Sequence, residues 1–396
     1  MRRIVGCLVV CAAIVTCGGT IASAVEPAQI IVNPGAEFAD DVRTWQGIPG
    51  VERALSGRLW VVWYTGGAFE GDVTNYALLA TSGDDGKSWS PPRVTIQGKP
   101  GTRIGDPLPW LDPSGRLWLF YRQLTLDSTT NKAKWSGTCA IRTDEPDAAE
   151  PKWSEPFVVG EGGILFGKPI VRDGAWIAPF FLQGKGSPWG KQAQGRETSV
   201  ITSMDEGRTW SWLGGTTVKP ELLNFSEATL AARRDGSLWM VIRTKEGLHE
   251  SESTDGGKTW SATKPMPQFV GPATRAHVRR LASGAFLLIY HGGERTSKGV
   301  FLRNRLTAWL SVNDGRTWPH RVMLDDRNRV SYPDATQAPD GRIYAAYDFG
   351  RYTPEQKQIL LCIFREADVR NGKLDETAAR AQILVNQATG AAAPTK

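Results

Sequence analysis

Glu227 and Arg243 bracket the segment "SEATLAARRDGSLWMVIR", and Tyr332 and Asp334 open the segment "SYPDATQAPDGRIYAAYD". A carboxylate facing a guanidinium and a phenol beside a carboxylate are pairs able to move protons and hold a charged ligand. Asp106, Lys168, Arg275 and His277 stand at comparable places, each just ahead of an apolar run. Blander roles exist for all of them. Tyr332 is a good packing aromatic, and Arg243 serves equally as the structural counter-ion of Glu227. A lone carboxylate at such a place is harder to explain as core, because burying it without a partner is costly.

The elements that carry these residues repeat. "SGRLWVVWY", "SGRLWLFYR", "DGAWIAPFF", "DGSLWMVIR", "SGAFLLIYH" and "DGRIYAAYD" each read as a turn glycine followed by an apolar strand, spaced about 48 to 62 residues apart. An apolar strand precedes each, and a third follows: "YALLATS", "GTCAIRT", "TSVITS", "GLHESES", "LTAWLSV" and "ILLCIFR". Six antiparallel units predict an all-β chain, a six-bladed β-propeller of four-stranded antiparallel blades. Blades packed on both faces explain strands that are apolar without alternation. The early segment "AQIIVNPGAE" is expected to give the last blade its outer strand and so close the ring.

Four octapeptides, "SGDDGKSW", "SMDEGRTW", "STDGGKTW" and "SVNDGRTW", follow third strands, and "TDEPDAAEPKW" is a degenerate fifth. Ser and Asp would tie the loop and Gly would supply a positive φ, so the octapeptide reads as a staple and not as the reaction centre. In a propeller, first-strand entrances and second-strand exits share one mouth. The entrances give Gln46-Gly47, Asp106, Lys168, Glu227, Arg275 with His277, and Tyr332 with Asp334. The exits give Tyr64, Arg122, Phe181, Arg243, His291 and Asp348. That ring of titratable groups is the expected site.

Composition narrows the function classes. The chain has 396 residues with a formal charge of +6, and it contains no Lys/Arg-rich run, so nucleic acid is not an expected partner. A mild basic excess fits an acidic ligand without requiring one. Residues 1–24, "MRRIVGCLVVCAAIVTCGGTIASA", have the layout of a secretory signal, and export to the periplasm or medium is expected. The apolar run is short for a transmembrane anchor, and Thr16 is a poor neighbour for lipidation at Cys17. Cys139 and Cys362 fall on non-adjacent blades and are expected as separate thiols. The four His show no metal-ligand spacing. "GGILFGKP" approaches a phosphate-binding loop, but Pro169 stands where Ser or Thr is required. The propeller is assigned to 25–370 and a partly disordered tail to 371–396. A monomer with no cofactor or metal is expected.

With its octapeptides and site segments together, the chain resembles the sialidase (BNR/Asp-box) superfamily of six-bladed propellers over nearly its whole mature length. The resemblance implies an exo-glycosidase acting on an anionic glycan end by a retaining mechanism. It assigns Tyr332 as nucleophile and Glu227 as its base. The acid falls in "TGGAFEGDVTNY", on Asp72 with Glu70 as the alternative. Arg243 and, in "RNRLTAWLSVNDGRTW", Arg303 would hold the sugar carboxylate. Gln46, Asp106, Arg122, Lys168, Arg275 and His277 complete the expected substrate-binding set. The chain departs from the family at "WQGIPG", where Gly47 replaces the arginine that precedes Ile-Pro. Arg43, Arg122, Lys168 or Arg275 are the candidates to compensate, and a uronic acid or other anionic sugar is an alternative substrate. A non-catalytic glycan-binding propeller is the remaining alternative.

Overall fold

The computed structural model describes residues 25–183 and 187–391. Six antiparallel sheets follow one another along the chain, each a blade built outward from an inner strand. Blade one runs Gln46–Arg53, Leu59–Thr65, Tyr76–Ser82 and Val94–Gln97. Blade six runs Val330–Gln337, Arg342–Phe349, Gln358–Arg365 and Arg380–Gln387. Blade three has a divided inner edge: Gly163–Ile164 and Ile170–Arg172 both pair with Ala175–Leu182.

Six hydrophobic clusters lie one between each pair of neighbouring blades. Second strands are therefore buried on both faces, and Leu59–Thr65 and Leu238–Thr244 are buried at every residue. The hairpin glycines Gly57, Gly115, Gly174, Gly236, Gly284 and Gly341 all have positive φ, as tight turns between inner and second strands require.

The octapeptides lie between third and outer strands. In the copy from Ser253, the Ser253 hydroxyl donates to Asp255 Oδ1 (2.8 Å) and accepts from the Gly257 N–H (2.8 Å). Asp255 also accepts from the N–H and the hydroxyl of Thr259, and the Trp260 indole donates to the Gly257 carbonyl. The copies from Ser82, Ser203 and Ser311 repeat the bond from Ser to the glycine N–H. In each copy the Ser and the Asp or Asn two places on are bonded within the turn, whereas Asp85, Glu206 and Asp314 in the next place reach Arg342, Arg116 and Arg280 outside it.

Ring closure differs from the sequence expectation. Gln29–Val32 pairs with Val94–Gln97 and is a fifth strand on blade one, not the outer strand of blade six. Arg380–Gln387 fills that place, so part of the expected tail belongs to the propeller. Blades six and one meet through packed side chains, among them Val51, Val61, Tyr344 and Ala346. Arg43 donates to Asn386 Oδ1 (2.9 Å), and the Thr389 N–H donates to the Asp40 carbonyl (2.8 Å). The tail has backbone partners because it lies across the lead-in to blade one. The signal assigned to 1–24 lies outside the described residues. Among those residues no helix is long and apolar enough to cross a membrane. Cys139 and Cys362 are free and buried.

Candidate active site

Three inner strands begin with the same irregularity. The register shifts between Gly47 and Gly50, between Gly105 and Leu108, and between Ser331 and Asp334. Inside each shift a residue before proline takes a positive φ: Ile48 (56°), Asp106 (47°) and Tyr332 (53°). Such backbone costs about 1–3 kcal/mol per residue and collects at functional sites. In blades two and six, the bulge brings Asp106 and Tyr332 to the wall of a cavity of about 860 Å³ at the mouth of the ring.

Tyr332 sits on its floor, 3% exposed. Its hydroxyl lies 3.4 Å from Glu227 Oε1 and accepts from Arg243 Nη1 at 3.2 Å. The same Nη1 donates to Glu227 Oε1 at 2.5 Å, so the three groups form one buried triangle. Local pairing explains why they meet. Glu227 immediately precedes the inner strand Ala228–Ala232 of blade four, and the Arg243 N–H on the second strand donates to the Glu227 carbonyl. Glu227 Oε2 has no partner among the described residues. Burial, and next the Glu227 charge, hold the Tyr332 phenol above its ordinary value, against Arg243, Arg351 and Arg303. The phenol therefore keeps its proton at neutral pH.

Loops from second to third strands complete the mouth. In blade five, Arg303 donates to the Ala273 carbonyl (2.8 Å), its guanidinium 5.2 Å from the Tyr332 ring. In blade six, Arg351 stands 4.7 Å from that ring. In blade one, Glu70 accepts from the Tyr352 hydroxyl (2.6 Å) and lies 3.4 Å from Arg351. Burial pushes the Glu70 carboxyl up, but Arg351 and the Tyr352 hydrogen bond outweigh it, so it titrates below its usual range. Asp106 and Arg122 form the opposite wall. Burial raises the Asp106 carboxyl despite Arg122, and Arg122 donates to Gln183 Oε1 (3.0 Å).

The structure thus brings together Tyr332, Glu227, Arg243, Arg303, Arg122 and Asp106. Asp72 faces its own loop, where its carboxylate accepts from the N–H groups of Ala68 and Thr74 and from the Thr74 hydroxyl. Glu70, the alternative, lines the cavity.

Four expected substrate contacts are engaged elsewhere. Gln46 is fully buried and accepts from Arg43 Nη1 (2.6 Å) while donating to the Lys357 carbonyl. Lys168 and His277 belong to a network deeper in the channel. Lys168 Nζ lies 2.8 Å from Glu52 and 3.0 Å from Asp334, and His277 Nδ1 lies 3.0 Å from Asp334. These residues line a second cavity of about 470 Å³. Arg275 donates to the Phe166 carbonyl and lies 5.7 Å from the Tyr332 ring. The bulge that turns a residue to the mouth is confined to blades one, two and six. Gln46 precedes it, and Lys168, Arg275 and His277 belong to blades three and five, whose inner pairings carry no such shift. His291 is also withdrawn, with Nδ1 at 3.1 Å from the Asn304 carbonyl.

Sequence reasoning missed Arg351, Tyr352 and Arg103, all in the cavity wall. Arg351 follows the exit residue Asp348 by three positions, and that nearness was the available signal.

A profile described as "BNR repeat-like domain" matches residues 57–345. The chain belongs to this BNR repeat-like family. A sialidase of Bacteroides fragilis (strain YCH46) is 25% identical over 293 residues, 64% of this chain and 50% of the relative. The BNR repeat-like chain thus spans about half the length of that curated relative. Among solved structures, an intramolecular trans-sialidase from Ruminococcus gnavus superposes with a TM-score of 0.65 at 16% identity, covering 86% of this chain and 98% of that one. A Dyadobacter fermentans protein of unknown function gives 0.61 at 17% identity, covering 82% and 94%. An α-L-arabinofuranosidase from Fusarium graminearum gives 0.53 at 11% identity, covering 87% and 99%. The fold is that of sialidase-like glycoside hydrolases, and the trans-sialidase, the arabinofuranosidase and the protein of unknown function share it.

Proposed function

We propose that the chain is an exported exo-glycosidase that removes a terminal acidic sugar with retention of configuration. The observation that carries this reading is the buried triangle of Tyr332, Glu227 and Arg243, with the guanidinium groups of Arg303 and Arg351 around the same ring. Cations beside the floor suit an anionic substrate, and a neutral phenol attacks a carbon next to a carboxylate without the repulsion an anionic nucleophile would meet.

In the first half-reaction the Tyr332 oxygen forms a bond to the anomeric carbon as its proton passes to Glu227. The glycosidic C–O bond breaks, and its electron pair takes a proton from an acid on the blade-one loop. Glu70 is the better-placed donor because its carboxyl lines the cavity, whereas Asp72 is occupied in its own turn. A substrate carboxylate that draws on Arg351 weakens the pairing that keeps Glu70 ionised and lets it take up the proton it then gives. In the second half-reaction the acid, now a carboxylate, takes a proton from water. The water oxygen replaces the Tyr332 oxygen, and Glu227 returns the proton to the phenolate. Two displacements restore the original configuration. Arg243 stabilises the phenolate as it forms.

The test is fluorophore release from a fluorogenic α-sialoside and from a fluorogenic uronide, by the wild type beside Tyr332→Phe. Turnover of either that the variant abolishes supports the reading, and the substrate identifies the sugar. Binding of glycans without turnover across a broad panel would overturn it in favour of a glycan-binding propeller.

A further inference from the structure

Gly47 stands on the inner strand of blade one and contributes no side chain to the site. The space in front of it is nevertheless filled. A Cβ built on Gly47 would lie 2.9 Å from Arg351 Cδ and 3.1 Å from Asp348 Oδ2, contacts too close to keep. The aliphatic stem of Arg351 therefore occupies the volume that any side chain at position 47 would need. None of Arg43, Arg122, Lys168 or Arg275 reaches this space, because each is committed to partners elsewhere.

Arg351 is held from three sides. Asp348, which accepts from the Ile48 N–H (2.9 Å) and the Ser331 hydroxyl (2.5 Å), lies 3.9 Å from Nη1. Glu70 lies 3.4 Å from Nη2, and the Tyr332 ring lies 4.7 Å from the guanidinium carbon. The residue is only 6% exposed, yet Nη1 has no hydrogen-bond partner among the described residues. A guanidinium in the cavity wall beside the nucleophile, with hydrogen-bonding capacity still unspent, is a site suited to an anion.

We propose that Arg351, on a blade-six loop, supplies the carboxylate-binding guanidinium that Gly47 leaves missing from blade one. This rests on the acidic-sugar reading above and adds to it a binding residue from the other side of the ring seam. Glu70 and Asp348 keep the guanidinium in place while the site is empty. Nη1 faces Asp348, so an incoming carboxylate meets the part of the guanidinium that lines the cavity and shares the cation with Glu70. The absence of a side chain at position 47 is what admits the stem, so Gly47 and Arg351 form one device.

The test is titration calorimetry of the wild type, Arg351→Lys and Arg351→Ala with N-acetylneuraminic acid and glucuronic acid, each beside its methyl ester. The readout is the ratio of acid to ester affinity, with melting curves taken alongside. The wild type should prefer the acid of at least one sugar. Arg351→Ala should lower that preference roughly ten- to a hundredfold, the usual range for a charge-assisted hydrogen bond. Arg351→Lys keeps the charge and stem but not the fork, so it should fall between. It carries the comparison alone if Arg351→Ala does not fold. An acid preference unchanged in both variants overturns the proposal while leaving the acidic-sugar reading standing. A wild type with no acid preference overturns that reading and the proposal with it.

Discussion

The Tyr332 hydroxyl and Glu227 Oε1 lie 3.4 Å apart with Arg243 Nη1 bonded to both, so one cation faces both members of the nucleophile and base pair. A phenoxide forming at Tyr332 gains the cation as Glu227 is neutralised by the transferred proton. Tyr332→Phe removes the nucleophilic oxygen and should lower kcat by roughly three orders of magnitude or more. Glu227→Gln removes the base and should cost on the order of 10²–10⁴. Because the two act in one step, the double variant should be little worse than Tyr332→Phe. Multiplicative losses, measured by single-turnover kinetics, would show that the residues do not share a step.

Glu70 and Asp72 differ in what their carboxylates touch, which separates them by leaving group. Glu70→Gln should slow an alkyl glycoside, whose oxygen must be protonated, by about 10²-fold or more. It should barely affect kcat/KM for a nitrophenyl glycoside, which reports the first half-reaction alone and whose leaving group needs no proton. Asp72→Asn weakens a turn and should affect both substrates alike. A leaving-group dependence found in Asp72→Asn and absent from Glu70→Gln would reverse the assignment.

Legibility followed locality. The hairpin glycines and octapeptides were readable because each is complete within a few residues, and six copies fixed the architecture. Glu227 and Arg243 were readable because strand pairing puts an entrance opposite an exit. Lys168 and His277 were assigned to the mouth by position alone, and hydrophobicity does not show that blades three and five lack the bulge that turns a residue to the mouth in blades two and six. The recurring pattern Gly47-Ile48-Pro49, Gly105-Asp106-Pro107 and Ser331-Tyr332-Pro333 is the visible trace of that bulge. The Arg351 contact with Gly47 was not legible, because it joins a non-repeating loop to the far end of the chain. The same holds for ring closure, where packing between blades six and one replaced a shared strand.

The octapeptides should matter for stability and not for turnover. Ser253→Ala leaves the Gly257 N–H without its acceptor in a buried position, a loss of about 1–3 kcal/mol. The Tyr332 triangle lies at the mouth, which the octapeptides do not line, so kcat at a temperature well below the melting point should stay within about twofold, since distant sites are usually independent. A melting temperature equal to wild type, or a selective loss of kcat, would contradict the staple role.

Beneath the floor, Asp334 joins Lys168 and His277 and accepts from the Val51 N–H (2.8 Å), tying blades one, three, five and six together. Burial alone would raise its carboxyl, but Lys168, His277 and the Val51 N–H hold it well below the usual range. Its folded value is thus depressed, so its stabilisation is complete above the unfolded value of about 4 and is lost as pH falls toward the folded value. Burial also depresses His277, despite Asp334, and takes His291 to about 3. Both His favour the native state above the unfolded value of about 6.5, and their contribution fades below it. The melting temperature should therefore decline in two stages on acidification, first below about pH 6.5 and then more steeply below about pH 4. Asp334→Asn should make the lower stage shallower while keeping the upper one, because the octapeptide carboxylates Asp84, Asp205 and Asp255, held below the usual range by their Ser and Thr hydrogen bonds, retain their share. Asp334→Ala should cost about 3–5 kcal/mol at neutral pH, because Lys168 stays buried with Glu52 alone. Differential scanning calorimetry from pH 3 to 8 checks both, and an unaltered lower stage in Asp334→Asn would mean that this carboxylate does not anchor the channel.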